Sequence, residues 1–473
     1  MKLKYILIII SLLNTPILPD KSPDKSYDEE IYTWSRTFAE LLHLVDTKYY
    51  CAVSPQEGML KAMNAFLCFD PHSRVLDPKT YTDIMNVTQG EICGIGVVLG
   101  PKKIPQDHMV LLDVIPEKPA AKAGLKPLDK LIAIDNISVA ELSSEEIANK
   151  LKGKRNSIVT LMVIRNGEIL TVPIKRDIIE VEDAWAYHVP EHKTYYIAIQ
   201  NFTNNTARQL ETILTKALKQ KAQGLIIDVR DNGGGLLQAA VDSAGLFVAR
   251  DSLVVSTKDR HQKVVEKFFT KREPVTLGSL PVFILVNNFT ASAAEILAGV
   301  LKLYSTQKPG IFIFVIGTTT FGKGSVQEIL LLSNNCAAKI TTALYHLPDD
   351  TSIQGIGVEP DFIIDKKLCP SEDMNIFNKL YGSEQTLKNT LTNQTNREQK
   401  IVIPELAKKD WKTQRKERVA QDYQIQSALH LINLFSIGKS AHPELFTTRN
   451  QALVYLKKHY VTNDKVMLEE LKL

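Results

Sequence analysis

Cysteine is scarce and scattered. Five occur in 473 residues, at Cys51, Cys68, Cys93, Cys336 and Cys369, and no C-x-x-C pair is among them. This excludes a zinc ribbon and a thioredoxin-type redox site and leaves buried free thiols as the ordinary reading. A strong charge of one sign is also missing. The net value is +4, too small to argue for nucleic acid as a partner. The body of the chain has no run of 18 apolar residues, so no internal membrane span is expected. His188 and His192 stand four apart, but Pro190 between them breaks a helical pair and no third ligand is evident, so no metal is assigned. The segment RDNGGGL at 230–236 has neither the G-x-G-x-x-G spacing of a dinucleotide site nor the Gly-Lys-Ser/Thr end of a phosphate loop.

What remains is an ordinary globular composition, 44% hydrophobic and 23% charged, long enough for about three domains. Residues 1–20 carry Lys2 and Lys4 before an apolar run from Tyr5 to Leu13, the pattern of a signal peptide or an uncleaved N-terminal anchor. The expected destination is outside the cytoplasm, in a bacterial periplasm or on the outer face of the inner membrane. Residues 26–90 read mainly as helix, with apolar residues at i, i+3 and i+4. The D-P-H-S segment from Asp70 reads as structural. Residues 371–400 read as a polar linker. Residues 401–473 read as a helical region, in which 421–437 form an amphipathic helix packed on the N-terminal helices or on a second subunit.

Residues 177–370 alternate strand-like and helix-like runs. YYIAIQNF, GLIIDV, PVFILV and IFIFVIG are strands, with TARQLETILTKALKQKA and SAAEILAGVLK as helices, which predicts an α/β architecture of mixed βαβ layers. Within it, residues 287–327 hold the parts of a hydrolytic site. Ser292 ends an apolar strand's loop and opens a helix, where free backbone N–H groups and a partial positive charge let the Ala293 N–H face an oxyanion. Lys323 lies between Gly322 and Gly324, and Gln327 follows four residues on. A serine needs a base, and a lysine serves as one only when burial lowers its pKa. The same residues have plain readings too. Ser292 and Glu295 make a capping box, Lys323 alone is a solvated loop lysine, and Gln327 alone carries no signal.

The segments TASAAE at 290–295, FGKGSVQ at 321–327 and TTALYHLPDDTSIQGIGVEPD at 341–361 resemble the T-A-S-A-S-E, F-G-K-G-x-V-Q and S-I-Q-G-x-G…P-D signatures of the carboxyl-terminal processing proteases, peptidase family S41. The resemblance covers roughly residues 30–365. It implies a metal-independent serine endopeptidase with Ser292 as nucleophile, Lys323 as base and Gln327 orienting the lysine. RDNGGG resembles the family's R-x-N-P-G-G, with Gly233 where proline is usual, and implies the Gly234 N–H as a second oxyanion donor beside Ala293. Asp349 and Asp350 stand where the family usually has a glycine.

Residues 91–176 resemble an inserted, mainly-β PDZ domain. Gly94, Ile95, Gly96 and Val97 match its carboxylate-binding loop, AAKAGLKPLD ending at Asp129 matches its A-x-x-A-G-L-x-x-x-D segment, and Asn166-Gly167 reads as a two-residue hairpin turn. The implied partners are polypeptides with free C-termini. An adaptor or lipoprotein partner and a homo-oligomer are compatible with it. Arg176, just after the module, is implied to bridge it to the core when substrate is bound, with a surface arginine as the alternative. Two rival functions are a Ser–His–Asp hydrolase using His346, for which no G-x-S-x-G elbow surrounds Ser292, and a catalytically inert PDZ scaffold.

Overall fold

The computed structural model describes residues 25–88, 91–100, 108–180, 182–275, 280–364 and 411–470. The signal or anchor segment and the polar linker fall outside them. The chain divides into two compact units, residues 1–77 with 329–340, and 78–328 with 341–473.

The first unit holds the helices Lys25–Lys48 and Pro55–Phe66, the latter capped by the Ser54 side chain with proline at its first turn. Strand Arg74–Leu76 pairs antiparallel with residues 337–339. The Asp70 carboxylate accepts hydrogen bonds from the His72 N–H at 2.7 Å and from the Ser73 N–H and hydroxyl at 3.0 and 2.6 Å. An aspartate that folds the backbone onto itself in this way builds a turn.

The second unit is organised by a six-stranded sheet. Its order is Ala184–Val189, Thr194–Ile199, Gly224–Asp228, Pro281–Val286, Phe312–Gly317, Phe362–Ile363, parallel except at the first pair. The four central strands are buried along their length. That explains their near-continuous apolar sequence, since a parallel sheet is covered on both faces. Alternate residues then divide between two cores. Ile197, Ile227, Ile284 and Val315 point to the face covered by helices Thr206–Lys219, Leu237–Ala244 and Ala293–Gln307. Tyr196, Ile226, Phe283 and Phe314 point the other way.

That second face is closed by the C-terminal helices Tyr423–Ala441 and Arg449–Glu470, through Ile425, Leu429, Ile432, Phe435 and Leu456. The expectation that residues 421–437 pack on the N-terminal helices or on another subunit is therefore corrected. The helix packs on its own chain's sheet, whose aromatic face would otherwise lie open to water. A smaller sheet of strands Leu253–Lys258 and Val264–Phe269 is joined by residues 344–346.

The PDZ region has its own core around Met109, Leu111, Leu131, Leu161 and Ile174 and a sheet ordered Val97–Leu99, Met109–Val114, Lys130–Ile134, Ile158–Arg165, Glu168–Lys175. Asn166 and Gly167 have φ of 52° and 88° and join Arg165 to Glu168 as expected of a primed turn. Asp129 closes the A-x-x-A-G-L segment for a physical reason. It is buried, accepts from the Lys126 N–H at 2.9 Å, and pairs with Arg165 through two bonds of 2.7 and 2.6 Å. The fold class expected from the sequence, an α/β core with an inserted PDZ domain and helical ends, is the one observed.

Candidate active site

The chain leaves strand Pro281–Val286 and is fastened before it reaches Ser292. The Thr290 hydroxyl donates to the Val229 carbonyl at 2.8 Å, and the Ala291 N–H to the Asn232 carbonyl at 2.9 Å. Ser292 then takes φ 56°, ψ −118°, immediately before helix Ala293–Gln307. A serine at positive φ is strained and persists only where its surroundings over-determine it, a condition that clusters at functional sites.

The partner of that strain is Glu295, wholly buried in the helix's first turn. Its Oε2 accepts from the Ser292 N–H and from the Lys323 N–H, each at 2.8 Å. Its Oε1 accepts from the Thr320 hydroxyl at 2.5 Å and the Gly322 N–H at 2.7 Å. The capping pattern read from the sequence is thus present in its glutamate half, but the same carboxylate also holds a second loop 28 residues away. From the sequence alone, Glu295 reads as belonging to the helix. The T-x-S-x-x-E spacing carried the signal, and nothing local said which other backbone it would bind.

Lys323 sits on the loop after strand Phe312–Gly317. The Gly355 N–H donates to the Gly322 carbonyl at 2.8 Å, and the Gly324 N–H to Gln354 Oε1 at 2.9 Å. A Cβ at residue 324 would lie 2.7 Å from the Gln354 backbone nitrogen, so the glycine allows the S-I-Q-G segment to cradle the lysine loop. Lys323 is half-buried. Burial pushes its ammonium below the usual lysine range, against an opposing pull from the Glu295 carboxylate. Gln327 Nε2 donates to Ser325 Oγ at 2.9 Å and Thr341 Oγ1 at 3.2 Å, which leaves its Oε1 as the atom able to accept from an amine. Among the described residues no hydrogen bond joins the Lys323 ammonium to Ser292 or Gln327. The structure therefore brings the serine and lysine backbones onto one carboxylate.

The glycine turn lies against the serine. A Cβ on Gly234 would stand 2.8 Å from Ser292 Cβ and 3.0 Å from the Ala293 nitrogen, and its φ is +99°. Its N–H donates to Asn232 Oδ1 at 2.8 Å, a contact the sequence did not suggest. Gly234→Ala is expected to lower peptide hydrolysis by about 100-fold, because both the strained φ and the clash with Ser292 must be relieved by moving the turn. A Gly234→Ala enzyme with wild-type kcat would refute that placement.

The other candidate residues lie elsewhere. His346 is buried with Nδ1 at 3.1 Å from the Asp350 carbonyl oxygen. His188 lies against the Tyr195 ring, and His192 Nδ1 meets Asn433 Nδ2 at 3.0 Å. Gly94, Ile95, Gly96 and Val97 lie where strand Glu91–Gly94 gives way to strand Val97–Leu99. Gly96 is at φ +80°, Ile95 is buried, and the Ala120 N–H donates to the Ile95 carbonyl at 2.8 Å. Arg176 is not a surface arginine. It is buried inside the PDZ region, where its guanidinium donates to the carbonyls of Lys150 and Leu151 at 2.8 and 3.1 Å and to Ser157 Oγ at 3.0 Å. The first two contacts cap the C-terminal end of helix Ser144–Leu151, where a cation is favoured.

The profile of peptidase family S41 matches residues 193–364, and that of the PDZ domain residues 94–175. The carboxy-terminal-processing protease of Bartonella bacilliformis is 33% identical over 348 residues, 72% of this chain and 77% of its own. The carboxyl-terminal-processing protease of Synechocystis is 32% identical over 306 residues, 63% and 69% of the two chains. The carboxy-terminal processing protease CtpB of Bacillus subtilis is 30% identical over 349 residues, 73% and 69%. The chain belongs to the carboxyl-terminal processing proteases of peptidase family S41 and is a serine-type peptidase with a PDZ domain.

Proposed function

We propose that this peptidase is an endopeptidase that recognises polypeptides by their free C-termini and cuts them at Ser292. Lys323, neutral, takes the Ser292 hydroxyl proton as Oγ bonds to the scissile carbonyl carbon. It returns that proton to the leaving amine as the peptide bond breaks, and then activates the water that releases the acyl group. The observation that carries this reading is the shared Glu295 Oε2, 2.8 Å from the backbone nitrogens of both Ser292 and Lys323. Gln327 offers Oε1 to hold the amine.

The Ala293 N–H, at the start of its helix, is the first oxyanion donor. The Gly234 N–H is the second, and to serve it must be given up by Asn232 Oδ1. The PDZ loop of Gly94, Ile95, Gly96 and Val97 receives the terminal carboxylate on consecutive backbone N–H groups. A bridge from Arg176 to the core would require its release from the helix end that it caps. Work outside the cytoplasm, in a bacterial periplasm or on the outer face of the inner membrane, is the setting suggested by the basic and apolar residues 1–20.

The test is cleavage of an unstructured reporter with an apolar free C-terminus, in EDTA, by wild type and Ser292→Ala. Wild type alone should cut, and amidating the tail should slow it by about tenfold or more, the cost of leaving a carboxylate site unfilled. Equal cutting by both enzymes would remove Ser292 as the nucleophile. Equal cutting of free and amidated tails would remove C-terminal recognition.

A further inference from the structure

The glycine turn that faces Ser292 begins at Arg230, whose guanidinium is almost wholly buried, with 5% of its side chain exposed. It is shared between two parts of the chain. Toward the sheet, Nε donates to Asp228 Oδ1 at 2.9 Å and Nη2 to Asp228 Oδ2 at 2.6 Å. Toward the C-terminal helices, Nη1 donates to Asp422 Oδ1 at 3.0 Å and to Gln424 Oε1 at 2.5 Å. Asp422 is the N-cap of helix Tyr423–Ala441 and also accepts from the N–H groups of Gln424 and Ile425. Gln424 Nε2 donates to the Ile364 carbonyl at 2.6 Å, so both acceptors are fixed in turn.

Beyond Arg230 the turn is fastened to the serine loop at two points. Asp231 and Asn287 exchange hydrogen bonds of 3.0 and 2.8 Å, and the Asn232 carbonyl accepts the Ala291 N–H. The turn is thus held at one end by the loop that carries Ser292 and at the other by a helix 192 residues further along the chain.

We propose that Asp422 and Gln424 are positioning residues for the reaction. They hold the outer edge of the Arg230 guanidinium, which fixes where the 230–235 turn starts and so sets the Gly234 N–H opposite Ser292. This rests on the reading of that turn as an oxyanion site. Asp422 lies beyond the residues matched by the peptidase family profile. A buried guanidinium with one carboxylate removed keeps its charge and seeks another acceptor, and the turn moves with it. A shift of an ångström at an oxyanion donor is costly in the transition state and nearly neutral in substrate binding.

The full chain is tested as Asp422→Ser, which keeps a good helix N-cap but is too short to reach Arg230. It is compared with Leu429→Ala, which loosens the same helix against the sheet without touching Arg230. The expected result is that Asp422→Ser lowers kcat by about 10- to 100-fold with KM within about twofold. Leu429→Ala should lower the melting temperature at least as much and keep kcat near wild type. Asp422→Ser with wild-type kcat, beside an inactive Ser292→Ala, would overturn the positioning role alone. A parallel loss of kcat in Leu429→Ala would reduce the contact to packing and overturn it too. An active Ser292→Ala would overturn the underlying reading of the site, and this proposal with it. Gln424→Met is the second variant. It removes the other acceptor and should reproduce the kcat effect, and a Gln424→Met enzyme that lost only KM would count against the proposal.

Discussion

Lys323→Ala is expected to lose peptide hydrolysis by at least about 10³-fold while remaining folded. The reasoning has two parts. First, a serine hydroxyl is a poor nucleophile without a base, and the site offers Lys323 on a loop tied to the Ser292 backbone through Glu295. Second, burial lowers the lysine's pKa from the ordinary 10.5. Because the base must be neutral, kcat/KM should climb with pH and level off once pH passes that lowered value.

The same shift fixes the sign for stability. With the folded pKa below the unfolded one, the unfolded chain binds the proton more tightly. The charged lysine therefore opposes folding most fully below its folded pKa, and the penalty fades as pH rises toward 10.5. Lys323→Ala should accordingly unfold no earlier than wild type at neutral pH, with any advantage shrinking in alkali. Urea unfolding at two pH values, beside peptide hydrolysis, checks both. A Lys323→Ala enzyme that still cuts would dispose of the mechanism.

Glu295→Ala should be the most damaging single change to stability near the site, at about 3–5 kcal/mol. Four donors converge on this carboxylate: the backbone N–H groups of Ser292, Gly322 and Lys323 and the Thr320 hydroxyl. Removing it leaves all of them in a site from which water is largely excluded, and releases the force that holds Ser292 at positive φ. Glu295→Gln keeps the volume but turns an NH2 toward two donors, so it should recover little. At temperatures where the variants remain folded, hydrolysis should fall by about 100-fold, since the serine and lysine loops lose their common anchor. Glu295→Ala with a wild-type denaturation midpoint would show that the anchor carries no weight.

Much of this was legible in the sequence, for specific reasons. The strands GLIIDV, PVFILV and IFIFVIG declare themselves because a sheet covered on both faces must be apolar throughout. Asn166-Gly167 declares its hairpin because few dipeptides tolerate two positive φ values. The segments around Ser292 and Lys323 stand out only by resemblance, since their residues taken singly read as a helix cap and a surface lysine. Long-range satisfaction was not legible. Nothing near Glu295 says that its second oxygen binds the backbone of residue 322, nor does the sequence show that the Gly234 N–H is taken by Asn232. Arg176 reads as bridge or surface because most of its acceptors are backbone carbonyls, and these have no sequence. The amphipathic pattern of residues 421–437 shows that one side is buried but cannot name the partner, which in the structure is the sheet's own second face.

That closure governs the order in which the protein can be made. Synthesis delivers Ser292 and Lys323 well before the helices that begin at Trp411, and until those helices arrive Tyr196, Phe283 and Phe314 line an uncovered sheet face. An unfinished chain therefore carries every residue of the candidate site on a half-built scaffold that chaperones, not substrates, should occupy. A chain cut short before residue 411 should be an aggregation-prone fragment and not a smaller enzyme.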